Sequence, residues 1–162
     1  MIIDGINFIK GENNVGKSTF LWELSQTLYQ LDKKICFLGG TKDFENNYNF
    51  LKIFEYKFFS QDERVFQFII EIQKIVDYLV IDDIDFIKTD YADILFNEFK
   101  KPIILTCNIN RVYNHFNHKH INFILHNNKN IELENNTVVK TEQFLNQIKR
   151  ENKIEKLLND KG

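Results

Sequence analysis

Residues 11–18 contain two glycines, a lysine and a serine at a spacing that suits phosphate binding. Their sequence, GENNVGKS, matches the pattern G-x-x-x-x-G-K-[ST]. The glycines let the backbone turn its N–H groups toward one oxyanion. Lys17 supplies a positive charge between the β- and γ-phosphates of a nucleotide, and the Ser18 hydroxyl is a ligand for Mg²⁺. The pattern predicts an ATP and Mg²⁺ site whose phosphate-binding residues are Gly11, Glu12, Asn13, Asn14, Val15, Gly16, Lys17, Ser18 and Thr19.

The elements on either side of this loop are those that the chemistry requires. Residues 6–10 predict a strand, and an apolar stripe from Phe20 to Leu31 at helical spacing predicts a helix that begins at the loop. The positive end of that helix then faces the phosphates. A glycine turn without a ligand is the alternative, and the flanking strand and helix disfavour it.

Three carboxylates follow a second apolar run, residues 78–81, which predicts a central strand covered on both faces. Asp82 comes directly after this strand, where a carboxylate can hold Mg²⁺ together with Ser18. Asp83 is a candidate to orient the attacking water in catalysis, with a solvated loop residue as the alternative. For Asp85 we prefer the solvated loop or the N-cap of the next turn.

Short apolar runs alternate with longer helical patterns along the chain, which predicts an α/β fold with a mostly parallel central sheet flanked by helices. The chain is expected to be a single domain, with a core at residues 1–140 that closes in a β-hairpin and an amphipathic helix at 141–162 that packs on the core or on a partner. Further strands are predicted at residues 35–38, 53–59, 103–107, 121–125, 131–133 and 137–140. A capping box at residues 60–63 predicts the start of another helix, and Thr89 or Asp90 the start of the next. In the helix that the capping box opens, the side chains predicted to face inward are Val65, Phe68, Ile69, Ile72, Ile75 and Val76, and the next helix carries Tyr91, Ile94, Leu95 and Phe99. In the last helix, the residues expected to pack on the core or on a partner are Leu145, Ile148, Leu157 and Leu158.

Composition limits the class of protein. Of the 162 residues 43% are hydrophobic and the net charge is −2, so the chain is not a disordered sequence and shows no strong basic field. No apolar stretch reaches the roughly 18 residues that cross a bilayer, so no membrane partner is expected. The first residues lack a signal-peptide pattern, which predicts an intracellular, cytoplasmic protein. Cys36 and Cys107 lie in apolar runs and are expected to be buried free thiols.

The order of these motifs resembles the RecA-like P-loop ATPases, which include recombinases and hexameric replicative helicases. The resemblance covers nearly the whole chain: the phosphate loop, a strand ending in Gly39-Gly40, the strand before Asp82, and residues 105–111. It implies an ATPase that works as a homo-oligomer or beside a RecA-like partner subunit. It also implies that Asn108 senses the γ-phosphate in catalysis, with a simple strand terminator as the alternative. Lys140 would then reach the ATP of a neighbouring subunit.

The sequence departs from that family at one catalytic position. The family places a glutamate at the end of the strand after the first helix, whereas here Asp43 and Glu45 are only nearby. Hydrolysis is therefore expected to be slow or to depend on Asp83. A rival resemblance, to AAA+ replication initiators and helicase loaders, comes from residues 80–86 and 104–106. That family needs a helical lid, which the predicted hairpin and single helix do not supply.

Residues 111–120 interleave cations with aromatic side chains, a composition that suits single-stranded DNA or RNA. The candidates for nucleic-acid contacts are Arg111, Tyr113, Phe116 and Lys119. An ordinary solvated loop is the alternative, and a zinc site from His115, His118 and His120 is a weaker one, because no cysteine or carboxylate accompanies them.

Three functional classes follow from these features. The first is an ATPase that acts on nucleic acid in recombination, replication or repair. The second is a nucleotide-gated assembly or regulatory protein with little turnover. The third is a small-molecule phosphotransferase, which the scarcity of arginine disfavours, since only Arg64, Arg111 and Arg150 are present.

Overall fold

One mixed sheet forms the framework of the protein in a computed structural model, which describes residues 1–39, 52–54, 63–86, 89–111 and 118–162. Within these residues the elements in chain order are β1 (Ile6–Gly11), α1 (Lys17–Gln30), β2 (Ile35–Leu38), β3 (Lys52–Phe54), α2 (Glu63–Ile72), β4 (Tyr78–Ile81), a 3-10 helix (Ile84–Phe86), α3 (Thr89–Glu98), β5 (Ile103–Asn108), β6 (His120–His126), β7 (Asn130–Glu132), β8 (Val138–Lys140) and α4 (Thr141–Asp160). The α/β class and the mostly parallel sheet are confirmed.

The eight strands of the described residues lie in the order β3-β2-β4-β5-β1-β6-β7-β8. Each pair of neighbouring strands from β3 to β6 is parallel, whereas β7 runs antiparallel to both of its neighbours, β6 and β8. Strand β5 therefore lies between β1 and β4, with Gly11 opposite Asn108 and Ile81 opposite Leu105. Because parallel strands share their direction, the residues that follow β1, β4 and β5 meet at one edge of the sheet.

Helices cover both faces of the sheet and make two apolar layers. On one face, α2 and α3 pack on alternate strand residues such as Leu79 and Ile81. On the other face, α1 and α4 pack on the intervening residues, for example Val80 and Ile104. Strands that bury both faces need continuous apolar runs, which is why β4 and β5 are so hydrophobic.

The central strands agree closely with the sequence-based prediction. β2 and β4 have the predicted bounds, while β1 and β5 each extend one residue further, to Gly11 and Asn108. The predicted closing hairpin is present as β7 and β8. The strand predicted at residues 53–59 is described only in part, as β3 (Lys52–Phe54), which begins one residue earlier than predicted. Residues 55–59 and the first three residues of the capping box lie outside the described part of the chain.

The predicted inward face of α2 is partly wrong. Ile69, Ile72 and Val76 are buried as expected, but Phe68 and Ile75 are exposed. The apolar face of α2 is wider than its contact with the sheet, and the helix ends at Ile72, so Ile75 lies in the turn beyond it. Of the apolar residues predicted for α3, Ile94 is exposed, whereas Leu95 and Phe99 are buried. Val65 lies among the side chains that are not described.

The first half of α4 packs on the core. Phe144 and Ile148 are buried, and the Phe144 ring contacts the rings of Phe20 and Phe123 edge-to-face, with centroid distances of 5.8 and 5.3 Å. Phe144 was not among the predicted contact residues. Leu157 and Leu158 are exposed and do not pack on the core, so packing on a partner stays a prediction for these two residues.

Both cysteines are buried free thiols, as predicted. Burial, followed by the negative charge of Asp85, raises the pKa of Cys107 to about 12. This thiol is therefore protonated at neutral pH. Among the described residues, no helix combines the length and the apolar character that crossing a membrane requires.

Candidate functional site

The loop between β1 and α1 adopts a conformation that its glycines permit. Gly16 has φ 94° and Asn14 has φ 64°, both in the left-handed region that glycine and asparagine tolerate. A Cβ atom at Gly11 would lie 2.8 Å from the Val15 Cγ2 atom and 3.1 Å from the Leu125 carbonyl oxygen. Glycine at position 11 is thus required by close packing, and glycine at position 16 by backbone conformation.

Helix α1 begins at this loop with an uncapped amino terminus. Gly16 is the N-cap, no side chain caps the helix, and its first turn contains no acidic residue. The first N–H groups of a helix have no carbonyl partner within it, and the aligned peptide dipoles add a partial positive charge there. Such an end is a binding site for an anion, and here it follows a loop of the predicted phosphate-binding type.

Lys17 lies at the start of α1 and folds back over the loop. Its ammonium donates hydrogen bonds to the carbonyl oxygens of Gly11 and Glu12, each at 2.8 Å. These bonds hold the positive charge above the loop, on the side of the cavity described below. The structure therefore brings the predicted cation and the uncapped helix end together.

Asp82 and Ser18 meet across the sheet edge, although they are 64 residues apart in the chain. The Ser18 hydroxyl donates to the Asp82 Oδ1 atom at 3.1 Å, and the Thr106 hydroxyl donates to the same oxygen at 2.9 Å. Asp82 is only 4% exposed. Burying a carboxylate is costly unless it is paired, and two hydroxyl donors are weak compensation.

This arrangement fits Mg²⁺ held in part by the protein. Among the described residues no hydrogen bond reaches the second oxygen of Asp82, and no group of three metal-binding side chains occurs. Mg²⁺ is bound by one or two carboxylates and keeps waters or takes phosphate oxygens as its other ligands. Ser18 and Asp82 would hold the ion, and its charge would offset that of the buried carboxylate.

Asp83 lines a cavity of 450 Å³ beside the loop, together with Asn13, Lys17, Asp85, Asn108, Asn110 and Arg111. Its backbone has φ 63°, and its N–H donates to the Thr106 hydroxyl at 2.7 Å. Burial, and then the charge of Asp85, raises the pKa of Asp83 above its usual range. The Asp83 side chain thus lines the same cavity as Lys17.

Asp85 is exposed to solvent, as the solvated-loop interpretation predicts, but its carboxylate also has specific partners. It lies in the 3-10 helix after β4, where one carboxylate oxygen accepts the Asn108 N–H at 2.8 Å. Its other oxygen lies 3.4 Å from Arg111 Nε. Asp85 therefore ties the end of β5 to the residues after β4. Asn108, the predicted sensor, lines the cavity, and its side-chain oxygen accepts the Asn110 N–H at 3.0 Å.

Other predicted site residues lie away from this cavity. Lys140 is on the edge strand β8, where its backbone N–H bonds the Gln143 side chain in the capping box of α4. Lys119 is exposed, and its carbonyl accepts the Ile6 N–H at 3.0 Å. Tyr113 and Phe116 lie outside the described residues.

The described residues do not support the alternative of a zinc site, and they do not include the acidic residues near the position of the family's catalytic glutamate. His118 bonds the Asn97 side chain at 2.6 Å, and no group of three metal ligands is found in the parts of the chain that are described. His115, Asp43 and Glu45 lie outside those parts.

Thr106 is the site residue that the sequence reasoning missed. Its hydroxyl donates to Asp82 and accepts from Asp83, so it fixes both carboxylate residues. The available signal was one hydroxyl residue within the buried apolar run of β5. A buried hydroxyl needs a partner, and that requirement points to a polar group on a neighbouring strand.

No protein-family model matches this chain, and no curated protein shows significant similarity to it. The function must therefore be inferred from the residues of the site and their geometry. The strongest part of that geometry is the meeting of Ser18 and Asp82 beside the uncapped end of α1.

Proposed function

We propose that this protein is an intracellular, Mg²⁺-dependent ATP-binding and hydrolysing protein of RecA-like type that acts on single-stranded nucleic acid. The observation that carries the proposal is the Ser18–Asp82 contact beside the uncapped end of α1. A hydroxyl and a buried carboxylate at a phosphate loop suit a metal-bound polyphosphate better than any other common ligand.

The strand order supports the RecA-like part of the proposal. In that type of ATPase a strand lies between the phosphate-loop strand and the strand that bears the metal-binding aspartate. Here β5 lies between β1 and β4, and an antiparallel hairpin continues the sheet beyond β6. Asn108 at the end of β5 is then opposite Gly11, the position from which a side chain can sense the γ-phosphate.

Each residue of the site has a separate role in ATP binding and hydrolysis. The N–H groups of the loop and Lys17 bind the phosphates, and bound Mg²⁺ would neutralise part of their charge. Asp83 orients the attacking water, and Asn108, which lines the same cavity, contacts the γ-phosphate. Lys140 lies outside this cavity, so its proposed role needs a second subunit of a homo-oligomer or a RecA-like partner.

Replacing Asp83 with asparagine is expected to lower the rate of ATP hydrolysis about a hundredfold, because an amide cannot accept the proton of the attacking water. ATP affinity should change much less, since Asp83 does not belong to the loop. Single-turnover hydrolysis and equilibrium binding measure the two quantities separately. Equal rates in the variant and the unmodified protein would remove Asp83 from the mechanism.

The whole proposal is tested by ATP hydrolysis measured at low salt, with and without single-stranded DNA and RNA. Stimulation by either polymer is expected, and its loss with rising salt would indicate phosphate contacts. Tyr113, Phe116 and Lys119 are the first positions to substitute if stimulation occurs. Absence of Mg²⁺-dependent ATP binding would contradict the proposal as a whole.

A nucleotide-gated assembly protein with little turnover is the second candidate. One observation favours it: β2 runs to Leu38 and is followed by glycine, without the glutamate that RecA-like enzymes carry after this strand. ATP binding without hydrolysis, with or without nucleic acid, would select this function over the first.

A further inference from the structure

Arg111 lies at the nucleotide cavity rather than out in the segment that follows it. Its backbone N–H donates to the Asn108 carbonyl at 3.0 Å, which folds the chain back over the end of β5. Its side chain lines the same cavity as Lys17 and Asn13. A guanidinium in this place faces the phosphate site of its own chain.

The contact between Arg111 and Asp85 is one in which another anion can replace the Asp85 carboxylate. One Asp85 oxygen is fixed by the Asn108 N–H at 2.8 Å, whereas the other lies 3.4 Å from Arg111 Nε. The two side chains are 37% and 28% exposed. Ion pairs that water reaches to this extent are weak, so a more highly charged anion can displace the carboxylate.

The charges that line the cavity favour movement of the Arg111 side chain from Asp85 toward a bound phosphate. Among the described residues that line it, two are cationic, Lys17 and Arg111, and two are carboxylates, Asp83 and Asp85. A third phosphate adds negative charge close to both carboxylates. The planar guanidinium binds phosphate oxygens through two parallel hydrogen bonds, which makes it a better partner for this group than a second lysine.

We infer that Arg111 binds the γ-phosphate of the nucleotide in its own chain, and that Asp85 is the resting partner it leaves to do so. Arg111 then distinguishes ATP from ADP, because only ATP offers the phosphate that replaces Asp85. The exchange rests on the proposed function, since it requires a bound nucleoside triphosphate. It assigns Arg111 to the nucleotide instead of the nucleic-acid contact expected from the sequence.

The test compares the dissociation constants of Mg²⁺-ATP and Mg²⁺-ADP by isothermal titration calorimetry in the full chain. Arg111→Ala should weaken ATP binding roughly tenfold and leave ADP binding nearly unchanged. Arg111→Lys should restore only part of the difference, because it keeps the charge and loses the fork. Arg150→Ala is the matched control, since Arg150 is exposed on α4 and does not line this cavity.

Asp85→Asn supplies a test in the opposite direction. It replaces the carboxylate that competes for Arg111, and with it a negative charge near the γ-phosphate. ATP binding should therefore tighten while ADP binding stays the same. If the ratio of ATP affinity to ADP affinity is unchanged in Arg111→Ala, the inference is overturned. This holds whether both affinities stay the same or both fall by the same factor. If the unmodified protein binds neither nucleotide, the proposed function fails as well, so the two failures are distinguishable.

Discussion

Replacing Lys17 with alanine is expected to weaken Mg²⁺-ATP binding by about 4 kcal/mol, roughly a thousandfold in Kd. The ammonium is held at the loop by the carbonyls of Gly11 and Glu12, on the same side as the uncapped end of α1. Truncation removes the loop's own cation and leaves the β- and γ-phosphates without a full positive charge from that side. Titration calorimetry or a fluorescent ATP analogue measures the loss.

Lys153→Ala is the matched control for Lys17→Ala, because Lys153 is exposed on α4 and far in sequence from the loop. It should leave ATP affinity unchanged. The fold should survive the loss of Lys17, since the side chain contributes no buried apolar contact to either layer of the core. Unchanged ATP affinity in Lys17→Ala, with an unchanged unfolding midpoint, would contradict the phosphate-binding role of the loop.

Truncating Phe144 to alanine is expected to lower the free energy of unfolding by about 3–5 kcal/mol. The side chain is 1% exposed and lies between the rings of Phe20 and Phe123. Its removal would leave a cavity where α4 packs on α1 and the sheet. Urea unfolding followed by fluorescence measures the loss, with Trp22 as the probe, because it is the only tryptophan and packs against Phe37 in the same apolar layer.

Leu158→Ala provides the comparison within the same helix. This side chain is 67% exposed, and a surface substitution of this kind changes stability by less than about 0.5 kcal/mol. A large loss for Phe144 beside a negligible loss for Leu158 would show that only the first half of α4 belongs to the core in solution. Equal, small effects in both variants would mean that the helix does not pack there.

The sequence by itself determined the local features of this protein. The loop at residues 11–18 was predictable because its chemistry depends on residue type and spacing within one short segment. The bounds of β2 and β4 were predictable because a strand buried on both faces must be continuously apolar. The position of Asp82 followed from the end of β4, since the parallel strands had to deliver their ends to one edge.

Helix faces were less predictable, because periodicity gives the direction of an apolar stripe and not the width of its contact. Phe68 and Ile75 belong to the stripe of α2 and are still exposed, while Phe144, which was overlooked, became the main contact of α4. Which side chains are covered depends on how far each helix lies from the sheet, and that is set by all the packed residues together.

Only the tertiary structure decided how the polar groups of the site are paired. Thr106 joins Asp82 and Asp83 across two strands, and Asp85 joins Arg111 and Asn108 although more than twenty residues separate them in the chain. A hydrogen bond needs its two atoms within about 3 Å of each other, and strand order and register set that distance. The side chains able to do chemistry could be identified from the sequence. Their hydrogen-bond partners could not, because those partners come from distant segments that approach each other only when the chain packs.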